Sequence, residues 1–379
     1  MPSVLNQLRP SARTRTRLLL GQLVAQDILA RRRLVDPPSR ILVSLYYRGL
    51  GDTILLTPLI AALRRRYPEA DIVLTVPEEY LSLYLGRPYA LKPVPFDIRN
   101  GDTVRVIRSM GPYDLALIPG ENRQAWLARA VGARWIRGFE GGHRRYRLPV
   151  DEAISYPMHI EPFSDLWARL AGPLSGQRYC VGDWPPPRVE HFNEAPKEFR
   201  YAVLHAGASS TARFWSARHW RALAEILTSE GLAVVFTAGP GQGDLLQEID
   251  GAQKWVHYPG NLSLAEMWHL LKRADLLVVP DTGVAHLAKI TQTPTVVLFG
   301  QCDPRLYEPG IFWSGMSYKA VALNNIPCRD QRWFSRRPGP WGDLQRCMRT
   351  LEECRYDKQC MEGLTVEAVA DAALALKRC

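Results

Sequence analysis

Short apolar runs alternate with helical stretches twice along this 379-residue chain, and a proline-rich break separates the two series. In the first series, residues 41–46, 72–76, 115–118 and 135–136 read as strands, and 53–67 and 124–131 as helices. Uninterrupted β-branched and aliphatic runs mark strands buried on both faces. Arg64-Arg65-Arg66 suits a helix C-terminus, and Pro68 stops the helix. Trp184-Pro185-Pro186-Pro187-Arg188 reads as a linker. The alternation then restarts, with strands at 201–205, 233–237, 276–279 and 295–299 and helices at 217–230, 264–272 and 284–290. A further helix is expected at 366–377. This order predicts an α/β protein of two Rossmann-like domains facing an interdomain cleft, with ligands outside the carboxyl ends of the strands. The expected divisions are a leader at 1–39, a first domain at 40–184, a linker at 185–198 and a second domain at 199–379.

Charge narrows the partners. Lys+Arg number 48 against 38 Asp+Glu, a net charge of +10 that favours phosphorylated substrates, anionic lipid surfaces or nucleic acid without choosing among them. The first forty residues hold eight arginines against Asp27 and Asp36, so more than half of that surplus sits in the leader. The leader reads either as a basic contact for lipid headgroups or as a helix packed on the body. Its apolar stretch, 18–30, is too short and too polar for a membrane span or a signal core, so the expected location is cytoplasmic. Cys328, Cys347, Cys354 and Cys360 are spaced unlike a standard zinc framework and read as free thiols, so no metal site is assigned.

Two segments carry chemistry. Gly49-Leu50-Gly51-Asp52 follows the first strand and opens a helix, yet Ile54 stands where a dinucleotide fingerprint needs its third glycine. The glycines allow a tight turn, and Asp52 is expected as an N-cap, a general base, or both. Asp281-Thr282-Gly283, with His286 one turn on, sits between a strand and a helix. There Asp281 or Thr282 would cap, Gly283 would let a phosphate approach the free N–H groups, and His286 would donate to it. The loop 205–213, with Ser209, Ser210 and Arg213, mixes hydroxyls and a guanidinium suited to phosphate, or is an ordinary polar loop. Asp244 ends a second glycine-rich loop and could accept from a ribose hydroxyl, though solvation explains it better.

Taken together, ILVSLYYRGLGDTILLTP at 41–58 and DLLVVPDTGVAHLAKITQTPTVVLFGQCDP at 275–304 resemble the two signatures of glycosyltransferase family 9, the bacterial lipopolysaccharide heptosyltransferase family. The resemblance covers roughly residues 40–375. It implies the GT-B architecture, with a nucleotide-sugar on the second domain and no cofactor beyond that substrate. It implies metal-independent, inverting transfer of heptose from ADP-heptose to a lipopolysaccharide core acceptor at the inner membrane surface, and no nucleic-acid partner. Asp52 matches the family's base, Thr282, Gly283 and His286 its diphosphate contacts, and Asp281 a sugar contact. Arg213 stands where a Lys is common. The basic leader departs from the family pattern. The chain holds no Asp-x-Asp, so cationic groups would do a divalent ion's work. On the acceptor side, Gly49 and Gly51 line the turn, and Arg137, Arg144 and Arg145 suit an anionic acceptor. A same-fold transferase with another donor or a protein acceptor, and a non-catalytic binding or scaffold protein, remain as alternatives.

Overall fold

A computed structural model describes residues 34–47, 49–173, 176–189, 200–324 and 349–376, together with Thr16, 19–24, Phe192, Ile326, 339–342 and Cys347. Most of the basic leader and Cys328 lie outside the described residues.

Each half holds a six-stranded, all-parallel sheet. The first contains β1 (Arg40–Val43), β2 (Asp71–Val76), β3 (Lys92–Pro95), β4 (Tyr113–Ile118), β5 (Ala133–Phe139) and β6 (Glu152–Ile154), in the order β3-β2-β1-β4-β5-β6. The second contains β7 (Tyr201–His205), β8 (Ala233–Ala238), β9 (Val256–Pro259), β10 (Leu276–Pro280), β11 (Thr295–Phe299) and β12 (Tyr318–Ala322), in the order β12-β11-β10-β7-β8-β9. Counted within each domain, both orders are 3-2-1-4-5-6. Crossovers leave the sheet in opposite directions beside β1 and β7, which opens a crevice at the carboxyl end of each.

The single helix expected over 53–67 is two helices, Leu50–Ile54 and Thr57–Arg66. Pro58 explains the break. It has no N–H for the Ile54 carbonyl, and the Thr57 hydroxyl donates to that carbonyl instead at 2.6 Å. The first helix therefore ends after one turn, and its glycine turn faces the second domain.

One cluster of buried apolar side chains runs through both domains. Helix Phe163–Ala168 carries much of the crossing. Phe163 packs against Tyr307 and Trp341, and the Asp165 carboxylate accepts from Ile311 N at 2.8 Å. The Tyr179 hydroxyl of the first domain donates to Ile290 O at 2.8 Å, and His269 Nε2 lies 2.8 Å from Pro187 O, so the end of the first domain and the start of the linker are both fastened to the second domain. Trp184 is buried in the first, edge-on to Tyr84 and donating to Leu83 O. Leu19, Leu20 and Leu23 of the leader pack on the first-domain core, which gives that stretch a packing role.

Candidate functional site

A cleft of about 670 Å³ lies between the domains, within the ~300–1,000 Å³ range of small-molecule sites. The turn after β1 supplies Tyr47, Gly49, Gly51 and Asp52. The loops after β7, β8 and β10 supply Ser209, Arg213, Gln242, Asp281, Thr282, Gly283 and His286. The two motifs separated by more than two hundred residues in sequence thus face one space.

Asp52 is not the N-cap. Gly49 holds that position with extended backbone, and Asp52 is the third helical residue, in the first turn. Its carboxylate folds back over Gly49, where an added Cβ would stand 2.7 Å from Asp52 Oδ2. A side chain at 49 would displace the carboxylate.

Thr282 is the N-cap of helix Gly283–Thr291, but its hydroxyl makes no cap bond. Oγ1 is buried without a hydrogen-bond partner among the described residues. An unsatisfied cap hydroxyl beside a cleft is free to bond a ligand. The first-turn N–H groups of this nine-residue helix and its positive end point the same way.

Gly283 lines the cleft, and its bare backbone also makes room for the first domain. A Cβ there would lie 2.7 Å from Leu50 Cβ, so its missing side chain admits the first-domain helix. The reverse holds at Gly51, where a Cβ would run into the His286 ring. Two glycines, one per domain, let the two helix N-termini touch across the cleft floor.

His286 lines the cleft but is not a cation. It is 4% exposed, and burial, with the Lys289 charge second, holds its pKa well below the ordinary histidine value. Burial also pushes His205 down to about 4, with Nδ1 2.9 Å from Thr237 Oγ1. Both rings are neutral near pH 7, so His286 can offer a hydrogen bond but not a charge, and the cation lining the cleft is Arg213. The Arg213 guanidinium donates to Asp281 O at 2.8 Å and Gln301 Oε1 at 3.1 Å, and pairs with the Asp281 carboxylate at 3.8 Å. It is thereby aimed, and the Asp281 backbone is fixed at the N-terminus of helix Gly283–Thr291.

Other expected residues are placed elsewhere. Ser209 lines the cleft and Ser210 does not. Asp244 is exposed in helix Gly243–Ile249, outside the lining; its neighbour Gln242 lines the cleft and bridges the Gly239 N–H and the Ala208 carbonyl. Arg137 is a structural arginine, paired with Glu152 at 2.9 Å and donating to Leu170 O at 2.9 Å. Arg144 and Arg145 are exposed on helix Arg144–Arg147, away from the lining, with Arg145 over the Tyr146 ring. Cys347 and Cys360 are buried thiols and Cys354 is half-buried.

Sequence reasoning missed the aromatic wall of Tyr47, Phe163, Trp167 and Tyr307. Only Tyr47 carried a signal, its place just after the first strand. It also missed Lys289, which is 1% exposed, donates to Tyr307 O at 2.7 Å and Glu308 O at 3.1 Å, and lies 5.2 Å from the Trp313 ring centre. That lysine fixes the backbone of Tyr307, whose ring packs on His286.

The profile of glycosyltransferase family 9 (heptosyltransferase) matches residues 104–332, more than half of the chain. The chain belongs to glycosyltransferase family 9. Among relatives, lipopolysaccharide heptosyltransferase 3 of Escherichia coli is 25% identical over 309 residues, covering 74% of this chain and 89% of that protein. ADP-heptose lipopolysaccharide heptosyltransferase II of E. coli superposes with a TM-score of 0.64 at 20% identity, covering 89% of this chain and 98% of that one. An E. coli heptosyltransferase solved with ADP superposes with a TM-score of 0.59 at 17% identity, covering 74% and 92%. The family 9 protein described here shares their GT-B fold and is a glycosyltransferase.

Proposed function

We propose that this family 9 enzyme transfers heptose from ADP-heptose to a lipopolysaccharide core acceptor, by one direct displacement without a metal ion. The observation that carries the reading is the cleft floor: Asp52 of the first domain and the unsatisfied Thr282 hydroxyl of the second face one cavity, joined through Gly51 and His286. The names of the relatives supply the donor and acceptor classes.

In this mechanism the acceptor hydroxyl gives its proton to the Asp52 carboxylate as its oxygen bonds the anomeric carbon. The bond from that carbon to the diphosphate oxygen breaks, and ADP leaves on the opposite face. Attack and departure on opposite faces invert the anomeric centre. Charge developing on the diphosphate meets Arg213, the Thr282 hydroxyl and the N-terminus of helix Gly283–Thr291. Those groups supply what a divalent ion supplies elsewhere, and the chain has no Asp-x-Asp to hold one. The leader's arginines would hold the enzyme against an anionic leaflet, since no helix among the described residues is long and apolar enough to cross a membrane.

The direct test is incubation with ADP-heptose and a deacylated core oligosaccharide, with product analysis by NMR. Heptosylated product of opposite anomeric configuration to the donor is expected, at the same rate with EDTA. Activity lost to EDTA and restored by Mg²⁺ would remove the metal-free step, and retained configuration would remove direct displacement.

His286→Ala is expected to weaken ADP binding by about 1.5–3 kcal/mol, the range for a hydrogen bond to a charged group. Calorimetry reads this directly, and unchanged affinity would reassign the ring to helix packing.

A further inference from the structure

We propose that Asp165 is a positioning residue for the transfer: it docks the second-domain loop that carries Tyr307 onto the first-domain helix that carries Phe163 and Trp167, and so sets the spacing of the aromatic walls of the cleft. The inference rests on the transferase reading above and adds a residue, itself outside the cleft lining, on which the register of the two walls depends.

Asp165 lies in helix Phe163–Ala168 and is 4% exposed. No cationic side chain among the described residues pairs with its carboxylate. A buried carboxylate is costly unless hydrogen bonds answer it. Here the backbone of the other domain answers it. The Ile311 N–H donates to Oδ2 at 2.8 Å, and the Phe312 N–H bonds the same carboxylate. The receiving backbone is shaped for this. Gly310 has φ of +64°, in the left-handed region, and an added Cβ there would stand 2.5 Å from Oδ2 and 2.7 Å from Oδ1. Successive N–H groups beside a left-handed residue form an anion-binding concavity. The anion that fills this one comes from the first domain.

The same loop and helix shape the cleft. Tyr307 precedes Gly310 by three residues and lines the cleft, with its ring centre 5.5 Å from that of Phe163, edge-on, and 5.8 Å from that of His286. Phe163 and Trp167, two residues to either side of Asp165, line the cleft from the first domain and stack on each other at 5.5 Å. Residues two apart on a helix do not share a face, so the carboxylate grips the loop while its neighbours face the cavity.

Two other ties limit what the loss of Asp165 can do. Lys289 Nζ donates to Tyr307 O and Glu308 O, which holds that end of the loop to the second domain's own helix. The Tyr179 N–H donates to Phe312 O at 2.8 Å, which keeps one bond from the loop to the first domain. Without the Asp165 carboxylate, the fold and the ADP site should persist, and the register between the Tyr307 and Phe163 walls should loosen.

Kinetics of heptose transfer beside calorimetry with ADP tests this in the full chain. Asp165→Ala should lower kcat by roughly ten- to hundred-fold, the scale on which a small misplacement away from the chemistry is felt, with ADP affinity at the wild-type value. Asp165→Asn keeps the size and one acceptor oxygen and should recover part of the rate. Gly310→Ala reaches the same contact from the second domain, should lower kcat likewise, and carries the test if Asp165→Ala does not fold. The double variant Asp165→Asn/Gly310→Ala should be no slower than the slower single variant, because both changes break one contact. Hydrogen exchange over 304–316 should rise in each. Wild-type kcat in the folded variants, an equal loss of ADP affinity, or penalties that add in the double variant would overturn the positioning role. No transfer by the wild-type protein would instead overturn the proposed donor and acceptor, and unchanged exchange over 304–316 in Asp165→Ala would still overturn the docking.

Discussion

Asp52→Asn is expected to lower turnover by about 10²–10⁴-fold, the range for removing a general base, while ADP affinity stays at the wild-type value. The separation of the two readouts follows from the geometry. Asp52 belongs to the first-domain turn, and every diphosphate contact proposed here belongs to the second domain. Asparagine keeps the size and the position over Gly49, so the backbone has no reason to move. Steady-state kinetics beside calorimetry on one preparation would decide it. A folded variant turning over within a few-fold of wild type would take Asp52 out of the chemistry.

The second large effect concerns stability. Burial pushes the Lys289 pKa down to about 7, against an ordinary value of 10.5. Between those values the unfolded chain holds a proton that the folded chain has released. Stability must therefore rise with pH through this window, by up to about 1.4 kcal/mol per unit. The neutral amine keeps two hydrogens, enough for both carbonyls of 307–308. From pH 7.5 to 9.5 the expected gain is about 2–3 kcal/mol. His205 and His286, with lowered values, raise stability only below that interval, and buried Tyr84 and half-buried Tyr89 and Tyr179, with raised values, act above it. Lys289→Met should flatten the slope. Urea unfolding at stepped pH measures it, and equal slopes in both proteins would show that Lys289 stays charged when buried.

Sequence pattern found the strands according to how many neighbours they have. The runs at β7 and β11 were legible to the residue, β1, β2, β4, β8 and β10 nearly so, and β5 only at its centre, 135–136 of Ala133–Phe139. The four that escaped, β3, β6, β9 and β12, are the outer strands of the two sheets. An outer strand has one ladder partner, so it tolerates charges and prolines: β3 reads KPVP and β9 reads VHYP. Those sequences look like loops because they need only half of a strand's chemistry. The site divides in a similar way. The placement of Asp52, Thr282 and His286 at one cleft was legible because each lies in the first turn, or at the cap, of a helix that follows a strand. The roles of Gly51 and Gly283 were not, since what fills the space over each glycine comes from the other domain. Arg137 misled because a charge count cannot distinguish an arginine spent on Glu152 and Leu170 from one held out to a ligand.

The meeting of Leu50 with Gly283 and of Gly51 with His286 has a consequence for wasted donor. In the proposed mechanism the proton acceptor and the groups that would stabilise the departing diphosphate are carried on different halves of the molecule, which meet where each bare glycine backbone takes a side chain from across the cleft. On that mechanism, parting the two domains would leave the base without an acceptor to deprotonate and the donor without a base to activate water, so the activated sugar would be protected from hydrolysis.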